Sequence, residues 1–339
     1  MTRPFVNLRS QNRLGELAGQ LRRNLDRFLA FEGVVGILLC GGLSRGYGDH
    51  LSEIDLSIFL THDQYEKYKR EKTPLPMGIA VIDGYLYDIK LEDYEAAQAR
   101  EYSMVGLWDL SYAQILYDPE EKLADLLEAK LSQPVDLSLA EGFLFEAWWN
   151  YRLAGDIWIH REDPAQGHFV LNNAIKPLLS ALFIANGEYV PHEKWLVHMS
   201  RTLDWKPERW EEGLREAFST GHFDLGSLAA RQQAIDRLWR AIDARLREKT
   251  GTKVSMMQKY FYDKLKVLVE KGSLPVQEWA GEDAVGLLSS QPFHGVVELI
   301  DGVVVLDPEK LLALQPQHMY SWFYEVVEAV IGEDGVIDE

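Results

Sequence analysis

Two acidic residues of one segment, Glu53 and Asp55, have the spacing of metal ligands. They stand at the start of an apolar run, Ile54–Leu60, that has the composition of a β-strand. Because side chains alternate across a strand, both carboxylates are expected to project from the same face. Two negative charges held so close together are unfavourable unless a divalent cation lies between them. Mg²⁺, a hard ion that prefers oxygen ligands and phosphate, is the expected cation.

A glycine-rich segment comes directly before this acidic pair. The apolar run 34–40 predicts a buried strand, and Gly41 and Gly42 follow it at the start of a polar turn. Glycine lets the backbone approach a phosphate closely and turn its N–H groups toward it. A strand, a glycine turn and a strand that carries carboxylates therefore predict a site for a phosphate ligand with its metal.

The order of residues in this segment resembles the DNA polymerase β-like nucleotidyltransferase superfamily. Within it, the small-molecule enzymes of the aminoglycoside and lincosamide type often carry Gly-Ser-x-Ala-Arg-Gly-Tyr-x-Asp-x-x-Ser-Asp-Ile-Asp-Leu. This chain is similar to that pattern without a gap. The matching residues are Gly41, Arg45, Gly46, Tyr47, Asp49, Ser52, Ile54, Asp55 and Leu56.

The resemblance implies a role for each part of the segment. Glu53 and Asp55 would bind Mg²⁺, two ions in all, and so take part in catalysis. Gly42 and Ser44 would face the β- and γ-phosphates of a nucleoside triphosphate. The nucleotide-binding residues implied in this segment are Gly41, Gly42, Ser44 and Arg45.

Two positions depart from the family pattern. Gly42 replaces the usual serine and removes a hydroxyl contact to phosphate, for which Ser44 would partly substitute. Glu53 replaces the first aspartate, so the carboxylate lies one methylene further out. Because Mg²⁺ demands tight geometry, we expect lower metal affinity or a lower rate.

The resemblance also implies a third carboxylate from a later strand. Asp88, on the predicted strand 85–91, is our candidate, either as a metal ligand or as the general base for the attacking hydroxyl. Glu92 is the reserve candidate, because it lies on the same face of that strand. A solvent-facing hairpin residue is the alternative interpretation of Asp88.

A second motif lies in the helical half of the chain. Its Asn-Gly, tyrosine, proline and Lys-Trp residues, at 186–195, resemble a turn that faces the nucleotide cleft in small-molecule nucleotidyltransferases. Lys194 would then reach a phosphate as a point charge. The alternative is a capped pair of helices, with Trp195 filling the core.

An aromatic helix over 143–158 has two interpretations as well. Trp149 lies on it with Glu146 and Asp156, so it could form the floor of an acceptor pocket. Such an aromatic stripe is more often simply part of the core.

Hydrophobic periodicity predicts an α+β fold. Amphipathic spacing predicts a helix over 10–31, and Asp83-Gly84 predicts a hairpin between strands 78–82 and 85–91. Further helices at 64–71, 92–102 and 119–131 and a strand at 113–117 complete a mixed sheet with flanking helices, in a nucleotidyltransferase domain over 1–134. A mostly helical acceptor-binding domain, with a late hairpin near 295–306, is predicted over 135–339.

Charge and composition limit the partners. The formal net charge of −18 disfavours general nucleic-acid binding and would attract a cationic small molecule. A single cysteine excludes an intramolecular disulfide. The first residues lack the apolar core of a signal peptide. By our sequence analysis no window is apolar enough to span a bilayer. We therefore expect a cytoplasmic protein with no membrane association.

The hypothesis favoured by the sequence is Mg²⁺-dependent transfer of a nucleoside monophosphate, AMP above all, from a triphosphate to a hydroxyl of a small molecule such as an antibiotic. One alternative is transfer to a protein or RNA, as in toxin–antitoxin nucleotidyltransferases. Another is a nucleotide sensor in which Gly42 and Glu53 have weakened catalysis. The oligomeric state is left open by the sequence.

Overall fold

The computed structural model describes residues 9–250, 256–281, 284–290 and 293–313. It confirms the predicted α+β fold, in which a mixed sheet with flanking helices is followed by a mostly helical C-terminal region. By their contacts the residues form two compact units. The first comprises the chain up to Asp136 together with Asn186–Lys206, and the second comprises Leu137–Ala185 together with the chain from Pro207 on. The domain boundaries drawn from the sequence, 1–134 and 135–339, stay a prediction.

The described part of the first unit contains a five-stranded mixed sheet. Its strands in chain order are β1 (Val34–Leu39), β2 (Ile54–Leu60), β3 (Gly78–Ile82), β4 (Tyr85–Asp93) and β5 (Gln114–Tyr117). Their order across the sheet is β3-β4-β2-β1-β5. Strands β2 and β4 run parallel, whereas the other neighbours are antiparallel. The sheet therefore brings the segment at Glu53 beside the predicted hairpin.

Helices flank this sheet. In chain order, the helices of the first unit before Asp136 are α1 (Leu14–Phe28), α2 (Gly41–Ser44), α3 (His62–Tyr68), α4 (Tyr94–Ala99), α5 (Met104–Tyr112) and α6 (Lys122–Leu131). The apolar stripe of α1, which includes Leu17 and Phe28, shares a core cluster with Ile54 and Ile58 of β2. A second core cluster contains Phe59 of β2 together with residues of α4 and α6. One face of the central strand is thus buried along its whole length, and the other is buried at Phe59.

The predicted hairpin is present. Asp83 has a φ of +51° and Gly84 a φ of +80°, as a tight primed turn requires. The helix predicted over 92–102 is wrong in its bounds, because β4 continues to Asp93. The Asp93 carboxylate accepts hydrogen bonds from the backbone N–H groups of Glu95 and Ala96, and so caps the N-terminus of α4.

The second unit is mostly helical. Its first elements are α7 (Leu139–Trp148), a π-helical segment (Trp149–Ala154), α8 (Gly155–His160) and α9 (Pro164–Ala185), and α10 (Glu193–Ser200) follows in the first unit. The later elements of the second unit are α11 (Trp210–Phe218), α12 (Leu225–Thr250), α13 (Met256–Lys271), β6 (Ser273–Pro275), α14 (Val276–Ala280), α15 (Ala284–Ser289), β7 (Val297–Ile300), β8 (Val303–Leu306) and α16 (Pro308–Leu312). Strands β7 and β8 form the late hairpin across Asp301-Gly302, and β6 pairs with β8.

Helix α9 corrects one expectation from the sequence. It has 22 residues with a mean hydropathy of 1.3 over its most apolar window, which is long and apolar enough to cross a membrane by length and composition. The expectation that no window reaches that level was therefore wrong. However, 78% of this window is buried inside the protein, as is usual for a core helix.

Candidate metal centre

Three carboxylates converge at one end of the parallel strand pair. Glu53, Asp55 and Asp88 each offer an oxygen, and these three oxygens all lie within 4.8 Å of one another. The cause is the register, which places Asp88 of β4 directly beside Asp55 of β2, on strands that lie about 4.8 Å apart. Glu53 comes immediately before β2 and reaches the same place. We call these three residues the acidic trio.

The reserve candidate Glu92 lies elsewhere. Its register partner on β2 is Phe59, four residues beyond Asp55, which corresponds to about 13 Å along the strand. Its carboxylate pairs instead with Arg100, at 3.0 Å from Glu92 Oε2 to Arg100 Nη2. Of the two candidates on β4, the structure brings Asp88 to the pair at Glu53 and Asp55.

The electrostatics of the trio centre on Asp55. Burial first, and then the negative charges of Glu53 and Asp88, raise the pKa of this carboxyl to about 6. The positive charges of Lys90 and Arg45 act in the opposite direction. Negative charge on the trio is therefore unfavourable when no cation is bound, as expected for groups that bind a cation.

Gly41 makes room for the Asp55 carboxylate. A Cβ atom built on Gly41 would lie 1.8 Å from Asp55 Oδ2 and 2.3 Å from Asp55 Cγ, so no side chain fits there. Gly41 also has a φ of +67°, which disfavours other residues. The neighbouring Cys40 N–H donates to the Asp55 carbonyl oxygen at 2.9 Å, which fixes the two segments to each other.

The predicted flexible turn is a one-turn helix, α2, with its polar groups engaged. The buried Ser44 hydroxyl donates to the Gly41 carbonyl at 3.0 Å, so a phosphate contact would require it to leave this bond. The Tyr47 N–H donates to the Gly42 carbonyl at 3.0 Å. A Cβ on Gly42 would approach the Tyr47 carbonyl oxygen to 3.1 Å, which gives a local reason for glycine at this position.

Arg45, one of the implied nucleotide-binding residues, is buried. Its side chain is only 4% exposed, and its guanidinium lies 4.5 Å from the centre of the Trp108 ring. Arg45 Nη1 pairs with Asp109 Oδ1 at 3.1 Å. Both partners belong to α5, a helix that periodicity did not reveal. Arg45 therefore links the C-terminal end of α2 to α5. Its role toward a nucleotide stays a prediction.

Two lysines have contrasting positions. Lys194 is exposed at the start of α10 and forms no ion pair within the described ranges; its predicted contact with a phosphate stays a prediction. Lys90 was not singled out by sequence reasoning, yet its Nζ atom lies 3.0 Å from Asp88 Oδ2. The available signal was its spacing, two residues after Asp88 and so on the same face of β4.

The aromatic helix predicted over 143–158 is interrupted by the π-helical segment, where Trp149 is 44% exposed and its ring lies tilted against that of Phe145, with a centroid distance of 6.1 Å. Trp148 is buried. The helix thus contributes both to the core and to the surface of its unit, and an acceptor pocket there stays a prediction.

The donor set of the trio fits a hard divalent cation. All three groups are carboxylates, the oxygen ligands that Mg²⁺ prefers. Their mutual repulsion, visible in the raised pKa of Asp55, would be relieved by such an ion. The backbone of Gly41 borders the Asp55 carboxylate with no side chain between them.

No protein-family model matches this chain, and no curated protein matches it. Among solved structures, the chain is similar to a nucleotidyltransferase-like protein from Exiguobacterium sibiricum, with 12% identity and a TM-score of 0.39. The match covers 85% of this chain and 97% of that chain. So distant a likeness carries no argument about this chain.

Proposed function

We propose that this protein is a Mg²⁺-dependent nucleotidyltransferase. The observation that carries the proposal is the meeting of the acidic trio with the glycine turn: three carboxylate oxygens within 4.8 Å, with the Asp55 carboxylate packed against Gly41. Carboxylates that share a metal beside a glycine-rich backbone are what nucleotidyl transfer needs.

Each residue of the site then has a defined task. Glu53 and Asp55 hold Mg²⁺, which when bound neutralises charge on the triphosphate. The backbone of Gly41 and Gly42 lies against the phosphate tail. Catalysis of this kind consists mostly of positioning and electrostatic stabilisation.

The reaction proposed is transfer of a nucleoside monophosphate. The oxygen of an acceptor hydroxyl forms a bond to the α-phosphorus, the bond from that phosphorus to the bridging oxygen breaks, and pyrophosphate leaves. Asp88 accepts the hydroxyl proton as general base. Lys194 or Arg45 offsets charge on the leaving pyrophosphate.

The donor we propose is ATP, and the acceptor a small hydroxylated molecule. The net charge of −18 favours a cationic acceptor of the aminoglycoside kind and opposes RNA. Transfer to a protein hydroxyl is the alternative within the same chemistry. A sensor that binds nucleotide without transfer is the alternative from another class.

The test is release of pyrophosphate, screened over the four ribonucleoside triphosphates and a set of hydroxylated small molecules with Mg²⁺. We expect release that requires an acceptor and falls by at least about a hundredfold in Asp55→Asn. Glu92→Gln is the matched control, since this carboxylate lies on β4 outside the trio, and it should keep full activity.

Two outcomes would overturn the proposal. One is pyrophosphate release that persists in Asp55→Asn, because the trio would then have no part in the reaction. The other would be found by calorimetry. Either no triphosphate binds in a Mg²⁺-dependent way, or Asp55→Asn binds it as the wild type does. Mg²⁺-dependent binding that Asp55→Asn abolishes, without release in the presence of any acceptor, would favour the sensor.

A further inference from the structure

Lys90 lies beside the acidic trio on the same face of the sheet. It follows Asp88 by two residues on β4, and its register partner on β2 is Ser57, two residues after Asp55. Its Nζ atom lies 3.0 Å from Asp88 Oδ2. Among the residues that the structure describes, no other basic side chain forms an ion pair with a carboxylate of the trio.

The Lys90–Asp88 pair differs from an ordinary surface ion pair. A pair between two exposed side chains contributes little, because water screens it. Here the Asp88 side chain is only 17% exposed, although that of Lys90 is 61% exposed. Because Asp88 is largely removed from water, its pair with Lys90 is screened less than an exposed pair would be.

The position of Lys90 bears on how many metal ions the site can hold. Its ammonium lies 3.0 Å from Asp88 Oδ2, the carboxylate that the second ion of a two-metal pair would need. A second divalent cation bound to Asp88 would lie beside this fixed positive charge, at a distance where like charges repel strongly.

We propose that Lys90 takes the place of the second divalent cation, so that Glu53 and Asp55 hold one Mg²⁺ ion and the Lys90 ammonium, paired with Asp88, is its fixed partner. This inference rests on the proposed function and replaces the expectation of two ions that the family resemblance implied. The phosphates of a bound triphosphate would meet one metal ion and one ammonium group. The ammonium is part of the chain and does not have to bind, so one of the two positive charges would be in place before the metal ion binds.

The test counts Mn²⁺ ions by electron paramagnetic resonance. The protein is saturated with α,β-methylene-ATP, an analogue that cannot be cleaved between the α- and β-phosphates, and Mn²⁺ is then added. Two Mn²⁺ ions in a two-metal site lie about 3.5–4 Å apart and couple magnetically. We expect the wild type to bind one Mn²⁺ per chain and to show an uncoupled spectrum.

Variants of Lys90 make the result specific. In Lys90→Met, which keeps the length of the side chain and removes its charge, we expect a second Mn²⁺ ion with a coupled spectrum, or at least about tenfold tighter binding of the first ion. Lys90→Arg keeps the charge and should resemble the wild type. Lys67→Met is the matched control, because Lys67 pairs with Glu32 away from the trio.

The failures can be told apart. A coupled pair of Mn²⁺ ions in the wild type, or a Lys90→Met variant with unchanged count and affinity, would overturn the inference about Lys90 and leave the proposed function intact. If the wild type bound no Mn²⁺, or if Asp55→Asn bound it as the wild type does, both the inference about Lys90 and the proposed function would be overturned.

Discussion

The Asp55 carboxylate occupies the space that a side chain on Gly41 would need, since a Cβ on that residue would lie 1.8 Å from Asp55 Oδ2. The end of β1 and the start of β2 are thereby held close enough for the backbone of one to border the carboxylate of the other. Glycine at this position serves the packing of the site and the conformation of the chain at once.

Gly41→Ala should therefore abolish metal binding by the trio. The new methyl group would push the Asp55 carboxylate out of place, and the φ of +67° adds backbone strain. We expect a loss of about 1–3 kcal/mol in the free energy of unfolding. Urea unfolding and Mn²⁺ titration would measure the two effects.

Gly78→Ala is the control for strain alone. Gly78 has nearly the same φ, +69°, but a Cβ there would meet no atom within 4 Å. It should lose a similar amount of stability and still bind Mn²⁺. If Gly41→Ala bound the metal as tightly as Gly78→Ala does, the contact with Asp55 would have no role in the site.

Because the pKa of Asp55 is raised, the free energy of unfolding of the metal-free protein should depend on pH. The pKa is about 6 in the folded protein against an ordinary value of 3.8. A carboxyl group with a raised pKa contributes stability that is present below about pH 4 and is lost as the pH rises through about 6. Without divalent cations, Asp55→Asn should then be more stable than the wild type at pH 8, by up to about 3 kcal/mol, and equally stable at pH 4.

Urea unfolding of both proteins at pH 4 and pH 8, in the presence of a chelator, would measure this difference. Added Mg²⁺ should stabilise the wild type at pH 8 and leave Asp55→Asn unchanged, because only the wild type retains the full trio. A wild type that is the more stable of the two at pH 8 without metal would contradict the raised pKa.

Much of the sheet could be predicted because its signals are local. Alternation and composition identified β1 and β2, and Asp83-Gly84 identified the hairpin. The face shared by Glu53 and Asp55 follows from the spacing of two, which is geometry within one strand. That Asp88 comes beside Asp55 depends on the parallel pairing of β2 with β4, which no local pattern contains.

Helix α5 shows why other parts were missed. Apolar residues occur all around it rather than on one face, and it contains Gly106, so neither period nor propensity indicates a helix. Its one local signal is the Ser103 side chain, which caps the N-terminus by accepting from the Gly106 N–H. Without α5 the support of Arg45 by Trp108 and Asp109 could not be foreseen.

The Arg45–Asp109 pair should be needed for the stability of the glycine turn. Asp109→Asn would leave the guanidinium of Arg45, only 4% exposed, without its charged partner. Asp109 itself is half exposed, so we expect a loss of about 2 kcal/mol in the free energy of unfolding, less than for a fully buried pair. Thermal and urea unfolding would measure it.

Glu120→Gln is the matched control for that substitution. It also neutralises an acid that pairs with a basic residue, Lys122, but both side chains are exposed. No measurable change is expected, since exposed pairs are screened by water. Equal stability of the two variants would mean that Arg45 does not depend on Asp109.

In the second unit, Arg231 should be among the residues that contribute most to stability. Its side chain is 2% exposed within α12. It donates to the Ala217 carbonyl of α11 at 2.7 Å, and to the His168 carbonyl and the Asn172 side-chain oxygen of α9 at 3.1 and 2.6 Å. Arg231→Met would leave these acceptors unsatisfied, and we expect a loss of about 3 kcal/mol in the free energy of unfolding.

Arg237→Met separates this effect from the loss of one positive charge. Arg237 lies on the same helix, is 60% exposed and pairs with Glu216, so its replacement should change the urea midpoint little. Arg231→Lys should recover only part of the stability, because an ammonium group cannot reproduce the planar arrangement of donors that reaches three acceptors at once. Full recovery with lysine would show that charge, and not the geometry of the guanidinium, is what links α12 to α9 and α11.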